Sequence, residues 1–140
     1  MDAIEFFTAR LAFQTDVSDV HAALESAEPG FVLIDTRSPE SYAERHIPDA
    51  VGLPTAEIAA RAADLLDPAV PVVTYCWGPG CNGATKAAAE FVRLGYRVRE
   101  MLGGIEYWIR EGFPVITPLG PVTVAPDPLT APMAGIACAC

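Results

Sequence analysis

The segment from Val72 to Lys86 reads Val-Val-Thr-Tyr-Cys-Trp-Gly-Pro-Gly-Cys-Asn-Gly-Ala-Thr-Lys and predicts a strand, a loop and a helix in succession. Its first four residues form an apolar run typical of a buried strand, and an alanine-rich helical pattern continues to Leu94. A glycine-rich loop that begins with Cys76 joins the two. Because the loop leads into a helix N-terminus, backbone N–H groups and the positive end of the helix dipole point at the sulfur atom. This environment lowers a thiol pKa, so the sequence predicts a nucleophilic thiolate at Cys76.

Strands and helices alternate along the chain on both sides of this segment. A short apolar run predicts a strand at 31–35, and residues 98–102 are expected to form another strand. Helical spacing predicts helices at 4–11, 19–27, 56–66, 84–94 and 105–111. The alternation is typical of an α/β domain with a mostly parallel sheet. Ligands of such sheets bind at the carboxyl ends of the strands, where both Cys76 and the Asp35-Thr36-Arg37 turn are expected.

Length and composition set limits on domain organisation and partners. The 140 residues suit one domain, expected over residues 1–117 with the N-terminal helix included, followed by a proline-rich tail at 118–140 without regular elements. The net charge of -9 argues against nucleic acid or an anionic membrane as a partner. The sequence has no apolar run of membrane-helix length, and its acidic N-terminus does not match a signal peptide, so a cytoplasmic location is expected.

The N-terminal helix is more apolar than a single buried face requires, because Phe6 and Phe13 accompany the helical series Ile4, Phe7 and Leu11. Packing of this helix against its own domain is the preferred interpretation. A homodimer formed through the helix is the alternative.

Four segments in the right order carry a resemblance to a known family: Asp35-Thr36-Arg37, Tyr42-Ala43-Glu44-Arg45-His46-Ile47-Pro48-Asp49-Ala50, Val73-Thr74-Tyr75-Cys76 and Leu102-Gly103-Gly104-Ile105-Glu106-Tyr107-Trp108. Over about residues 18–115 the chain resembles a single-domain rhodanese-like sulfurtransferase. The resemblance implies a parallel sheet of about five strands with helices on both faces. It also implies that Cys76 takes the outer sulfur of thiosulfate, or of a similar small anionic donor, as a persulfide. That sulfur is then passed to a thiol, a protein thiol or cyanide, without a cofactor.

The resemblance also implies roles for neighbouring residues. Asp35 and Arg37 are expected to brace the active-site region through a charge-assisted hydrogen bond. The loop is expected to bind the substrate through Trp77, Gly78, Pro79, Gly80, Cys81, Asn82 and Gly83. Its N–H groups would stabilise the persulfide, positive φ angles at the three glycines would let the backbone curl around the sulfur, and Trp77 would shield one side of the pocket.

The loop departs from the family pattern at its C-terminal end. It is about two residues longer than usual, Gly83-Ala84 stand where arginine and serine are expected, and Cys81 lies inside it. The sulfur donor therefore stays open among thiosulfate, a 3-mercaptopyruvate-like donor and a protein persulfide.

The other cysteines, Cys81, Cys138 and Cys140, are candidates for a sulfur relay. Cys81 could instead resolve a sulfenic or persulfide state of Cys76 by forming a disulfide, belong to a metal pair, or have no chemistry. The Cys-Ala-Cys terminus could accept sulfur, bind a soft metal, or be incidental. The cysteine spacings match no common zinc pattern, so no metal site is predicted.

Other functions compete with sulfur transfer. A cysteine-based phosphatase or arsenate reductase needs a guanidinium at the end of the loop, and no basic residue follows Cys76 until Lys86. Phosphate esters are therefore disfavoured as substrates. A thiol–disulfide switch that uses Cys76 and Cys81, and a non-catalytic binding module on the same fold, stay open as alternatives.

Overall fold

A parallel sheet forms the centre of the computed structural model, which describes residues 1–130. Its strands are β1 (Gln14–Asp16), β2 (Val32–Asp35), β3 (Val51–Gly52), β4 (Val72–Tyr75) and β5 (Val98–Leu102), in the spatial order β1-β5-β4-β2-β3. The helices are α1 (Ala3–Phe13), α2 (Val17–Glu25), α3 (Pro39–Glu44), α4 (Ile58–Leu65), α5 (Gly83–Arg93) and α6 (Gly104–Arg110), with a 3-10 turn at Thr55–Glu57. The expected α/β fold is confirmed. Within residues 1–130, none of the helices has the length and hydropathy that crossing a bilayer requires.

The central strand β4 is buried along its whole length. Its register with β2 places Leu33 opposite Val73 and Ile34 opposite Thr74. Successive side chains of a strand point to opposite faces, so Leu33 and Val73 pack with α2 and α6, whereas Ile34 and Val72 pack with α4 and α5. Burial on both faces explains the apolar run from which this strand was predicted.

Helix α1 does not enter the core. A capping box between Asp2 and Glu5 begins the helix, yet none of its residues is buried. Its large apolar side chains are exposed to solvent: Ile4, Phe6, Phe7, Leu11 and Phe13. The preferred interpretation from the sequence, packing of these side chains on their own domain, is therefore wrong. A homodimer through this face stays a prediction.

The proline-rich tail begins with an element that its prolines were expected to exclude. Strands β6 (Val115–Thr117) and β7 (Gly120–Val122) form an antiparallel hairpin that crosses the boundary predicted at residue 117. Further on, the Asp127 carboxylate lies 3.0 Å from the Arg110 guanidinium, and its backbone N–H donates to the Arg110 carbonyl. These contacts hold this part of the tail against α6.

Candidate active site

Cys76 directly follows β4 and lines a cleft of about 630 Å³ at the carboxyl ends of β4 and β5. Its residue exposure is 8%. The cleft is formed by the cysteine loop, the start of α5 and the turn after β5, and its lining residues are Cys76, Gly78, Pro79, Gly80, Cys81, Asn82, Ala84, Thr85, Glu100, Met101, Leu102, Gly103 and Gly104. The thiol is thus nearly buried but belongs to the wall of an open cleft.

The start of α6 fixes the first residues of the cysteine loop. The backbone N–H of Ile105 donates to the Cys76 carbonyl at 3.0 Å, and that of Glu106 donates to the Trp77 carbonyl at 2.9 Å. Gly104 has φ +65°, and a Cβ atom there would lie 2.6 Å from the backbone nitrogen of Gly78. A glycine is needed at position 104 because the two loops touch backbone to backbone. The Gly103-Gly104 turn therefore positions the cysteine loop.

The sulfur atoms of the two loop cysteines are in contact. The Sγ atoms of Cys76 and Cys81 lie 2.9 Å apart, and the backbone N–H of Gly83 donates to Cys81 Sγ at 3.4 Å. A Cβ atom at position 83 would lie 2.7 Å from Cys76 Sγ and 3.3 Å from Cys81 Sγ. Both sulfur atoms occupy the space that a side chain at position 83 would need, so the glycine permits the pair to form.

The two thiols of this pair have opposite pKa shifts. Burial, followed by the hydrogen bond with Cys81, raises the pKa of Cys76 to about 11. The hydrogen bond with Cys76, together with the N–H groups of Gly83 and Trp77, lowers the pKa of Cys81. The lowered pKa expected for Cys76 is therefore wrong, because the end of the strand buries its sulfur. The pair loses its first proton readily and its second reluctantly, and the first negative charge rests mainly on Cys81.

The predicted substrate-binding residues divide into two groups. Five of them line the cleft: Gly78, Pro79, Gly80, Cys81 and Asn82. Trp77 lies beneath the Arg37 guanidinium, whose carbon is 4.4 Å from the ring centroid, and Gly83 faces the two sulfurs. The expected positive φ angles are not found at Gly78, Gly80 or Gly83. Close approach explains Gly83, which faces the two sulfurs, whereas a Cβ at position 78 would meet the flexible end of the Glu106 side chain at 2.5 Å.

Asp35 and Arg37 form a buried ion pair behind the cysteine loop. Arg37 Nη2 lies 2.7 Å from Asp35 Oδ2, and both side chains are completely buried. The Tyr75 hydroxyl donates to the same oxygen at 2.6 Å and accepts from the Ile47 N–H at 3.1 Å. Burial and the Asp35 charge raise the pKa of Tyr75 well above its usual value, so its hydroxyl stays protonated as a donor. Arg37 Nη2 also donates to the Arg45 carbonyl at 2.6 Å. The pair thereby ties together β2, β4 and the end of α3.

Two residues that were not among the predicted site residues also take part in the site. Glu100 lines the cleft, where its carboxylate accepts from Thr85 Oγ1 at 2.5 Å and from Gln14 Nε2 at 2.8 Å. Thr36 is buried and its hydroxyl donates to the Tyr75 carbonyl at 2.8 Å, so it can donate to a Cys76 thiolate only by turning away from that carbonyl. Alternation along β5 would place Glu100 and Leu102 on one face, but only tertiary structure shows that this face meets the cysteine loop.

The two histidines pack against aromatic rings. His21 stacks on Phe113 and His46 on Tyr42, and neither histidine lines the cleft. Cys138 and Cys140 lie outside the described residues. Among residues 1–130, no group of three or more His, Cys, Asp and Glu side chains is arranged to hold a metal ion. A second groove, of about 720 Å³, lies near the amino ends of β4 and β5, and its lining contains no cysteine.

The chain matches the model of the rhodanese-like domain over residues 16–111. It therefore belongs to the rhodanese-like domain family. Thiosulfate sulfurtransferase GlpE of Pseudomonas syringae is 40% identical over 96 residues, which cover 66% of this chain and 85% of that protein. The crystal structure of the BH2092 protein from Bacillus halodurans superposes with a TM-score of 0.79 at 42% identity, covering 84% of this chain and 86% of that one.

A longer relative contains a similar domain. The HTH-type transcriptional regulator Rv0324 of Mycobacterium tuberculosis is 37% identical over 93 residues, which cover 66% of this chain. The chain spans 41% of the length of that regulator. The same fold thus also occurs as one part of a larger protein.

Proposed function

We propose that the protein is a sulfurtransferase in which Cys76 takes a sulfane sulfur as a persulfide and passes it to a thiol or to cyanide. The proposal is carried by the position of Cys76 at the end of the central strand, on a cleft lined by its own loop. Membership of the rhodanese-like family and the sulfurtransferase names of relatives support it. The reaction needs only the thiol, a donor and an acceptor.

In the first step the Cys76 thiolate attacks the outer sulfur of the donor. With thiosulfate, the bond between the two sulfur atoms breaks and sulfite leaves with its electron pair. An acceptor thiolate or cyanide then attacks the outer sulfur of the Cys76 persulfide, which forms a new persulfide or thiocyanate and restores the thiolate. In both steps one bond to the outer sulfur forms while another breaks.

The proton of Cys76 can leave through the neighbouring thiol. At an Sγ–Sγ distance of 2.9 Å, a proton can pass from Cys76 to a Cys81 thiolate without any rearrangement of the loop. Hydrogen bonds from the Trp77 N–H and the Thr36 hydroxyl favour the charge on Cys76 once the proton has moved. Cys81 thereby gives this proton a place to go, although its hydrogen bond and its charge also raise the pKa of Cys76.

The charged side chains around the cleft influence which donor can bind. Glu100 lines the cleft, and Lys86 in the first turns of α5 lowers the pKa of Cys81. Thiosulfate is the donor in the name of the relative GlpE. Because a carboxylate opposes a dianion, we propose thiosulfate as one donor beside organic and protein persulfides, and expect the less charged donors to react faster.

Mass spectrometry of the protein treated with thiosulfate tests the proposal. Trypsin releases residues 62–86 as one peptide, which contains Cys76 and Cys81 and no other cysteine. The Cys81→Ser variant should gain one sulfur atom on this peptide, and dithiothreitol should remove it. The unsubstituted chain should form thiocyanate from thiosulfate and cyanide, and Cys76→Ser should not. An adduct that persists in Cys76→Ser and is lost in Cys81→Ser would reverse the assignment, and no adduct with any sulfane donor would favour a binding module.

A thiol–disulfide switch is a second candidate, favoured by the contact between the two sulfur atoms. A switch would lose two hydrogen atoms from the 62–86 peptide on mild oxidation and would show no sulfur transfer in either assay. Retention of thiocyanate formation in the fully reduced chain would exclude a pure switch.

A further inference from the structure

Cys81 has a position that the transfer reaction alone does not require. Sulfur transfer to an external acceptor needs only one thiol to carry the sulfur, yet a second thiol lies 2.9 Å from Cys76 Sγ. Cys81 lines the cleft and is partly exposed, whereas Cys76 is buried. The loop thus places a more accessible thiol in contact with the atom that would carry the persulfide.

We propose that Cys81 resolves the Cys76 persulfide by forming a Cys76–Cys81 disulfide and expelling hydrosulfide, an inference that rests on the proposed function. The Cys81 thiolate attacks Cys76 Sγ, a bond forms between the two protein sulfurs, and the bond from Cys76 Sγ to the outer sulfur breaks. The persulfide left by the first step is an anion, so the proton that Cys81 took from Cys76 passes to the outer sulfur, which leaves as hydrosulfide with the bonding electron pair. Donor sulfur is thereby reduced to the level of sulfide, and the two cysteines are oxidised by two electrons. A dithiol reductant then restores both thiols by exchange.

The geometry of the loop suits this step. A disulfide bond is about 2.05 Å long, so the two sulfur atoms need to approach by less than about 1 Å. The loop between them is a tight turn in which the Cys81 N–H donates to the Gly78 carbonyl at 3.0 Å. A Cβ atom placed on Gly80 would meet no other atom within 4 Å, so this part of the turn borders open space into which it can move. The structure therefore requires only a local movement to close the bond.

The charge distribution supports the same direction of attack. The attacking group in an exchange must be a thiolate. The Gly83 N–H donates to Cys81 Sγ at 3.4 Å, and Lys86 also favours a negative charge there. The outer sulfur of the persulfide departs into the cleft, which is open to solvent. The pair thus combines a stabilised thiolate with an exit for the leaving group.

The proposed step requires a dithiol as the reductant that restores the two cysteines. A monothiol or cyanide can take the outer sulfur directly, but neither is needed for hydrosulfide release. Once the internal disulfide has formed, a dithiol reduces it by two successive exchanges within one complex. We therefore expect sustained sulfide production with dithiothreitol and only one equivalent of sulfide per chain without a reductant.

A single-turnover experiment under anaerobic conditions tests the proposal on the full chain. Reduced protein is freed of reductant, treated with thiosulfate or with glutathione persulfide at mildly alkaline pH, quenched in acid and digested with trypsin. In the unsubstituted chain the 62–86 peptide should become two hydrogens lighter while one equivalent of sulfide appears. Cys81→Ser lacks the thiol that takes the proton of Cys76, so this variant is first treated with donor until the same peptide carries one extra sulfur. The loaded variant should then retain that sulfur and release sulfide at least about tenfold more slowly. A sample without donor should show neither change.

The outcomes separate this inference from the proposed function. If the unsubstituted chain and Cys81→Ser both keep a stable sulfur adduct and release sulfide equally slowly, Cys81 does not resolve the persulfide, and sulfur transfer still stands. If neither chain gains sulfur nor releases sulfide with either donor, the proposed function fails and the inference fails with it. If the two-hydrogen loss appears in the sample without donor, the disulfide arises independently of the persulfide and the proposed step is overturned.

Discussion

Replacing Asp35 by asparagine should destabilise the protein severely, because its carboxylate accepts hydrogen bonds from four donors. These are the backbone N–H of Arg37 at 3.0 Å, Arg37 Nε at 3.0 Å, Arg37 Nη2 at 2.7 Å and the Tyr75 hydroxyl at 2.6 Å. Asparagine removes the negative charge and turns one acceptor into a donor that faces other donors. The Arg37 guanidinium would then be buried without a counter-charge.

The size of the effect follows from the burial of the pair. Both side chains have no exposed surface. Removing one partner of a buried ion pair costs about 3–5 kcal/mol, because the remaining charge is left unpaired. The unfolding entropy is about 2.1 cal/mol/K per residue, so for the 140 residues of this chain the loss lowers Tm by about 10–17 °C.

Urea and thermal unfolding, followed by the fluorescence of the buried Trp108, measure the loss. The matched control is Glu44→Gln, which removes an exposed pair between Glu44 and Arg45 with a 3.5 Å separation. The control should change the free energy of unfolding by less than about 0.5 kcal/mol. If Asp35→Asn came within 1 kcal/mol of the control, the argument that this pair braces the cysteine loop would be refuted.

Three further outcomes are expected. Iodoacetamide should modify Cys81 before Cys76 near neutral pH, and labelling of Cys76 should increase as the pH approaches its raised pKa of about 11. Mass spectrometry measures the two labelling rates, and equal rates would contradict these pKa shifts. Glu100→Gln should raise kcat/KM for thiosulfate about two- to fivefold in a low-salt assay, because it removes a negative charge from the cleft and keeps the acceptor oxygen. Phe7→Ser and Leu11→Ser should each change the free energy of unfolding by less than about 0.5 kcal/mol, since these side chains are 56% and 79% exposed. A larger loss that depends on protein concentration would show that a second chain covers α1.

The central strands were predictable from the sequence because burial on both faces imposes a local signal. β4 and β5 both have the predicted bounds, but only β4 is an apolar run buried on both faces, whereas β5 reads Val-Arg-Glu-Met-Leu and is only partly buried. β1 was missed because Gln14, Thr15 and Asp16 are polar and the strand has only three residues. Its pairing with β5, in which Gln14 lies opposite Glu100, is a contact between distant parts of the chain. The hairpin at 115–122 was missed for another reason: Pro121 sits on a strand whose N–H groups need not all be paired.

The candidate site was predictable only in part, for a related reason. A strand followed by a glycine-rich loop is a local pattern, and it located Cys76 at the end of the sheet. The contact of Gly104 with the backbone at Gly78, and the presence of Glu100 in the cleft, depend on tertiary structure. The pKa predicted for Cys76 was wrong because the position of a helix N-terminus can be inferred from the sequence, whereas the burial of the sulfur, which outweighs the helix dipole, cannot.

A buried thiol with a raised pKa and no guanidinium at the end of its loop would by itself be a poor nucleophile. In this loop Gly83-Ala84 occupy the positions where arginine and serine were expected, so the usual cation is absent from the loop end. The second thiol does not replace that cation, because its hydrogen bond and its charge raise the pKa of Cys76. Two sulfur atoms 2.9 Å apart can share one proton, and the negative charge of the pair is favoured on Cys81, whose pKa is lowered. Where the family pattern has an arginine, this loop therefore holds a second thiol that can take the proton of Cys76 and that lies in contact with the sulfur that would carry the persulfide.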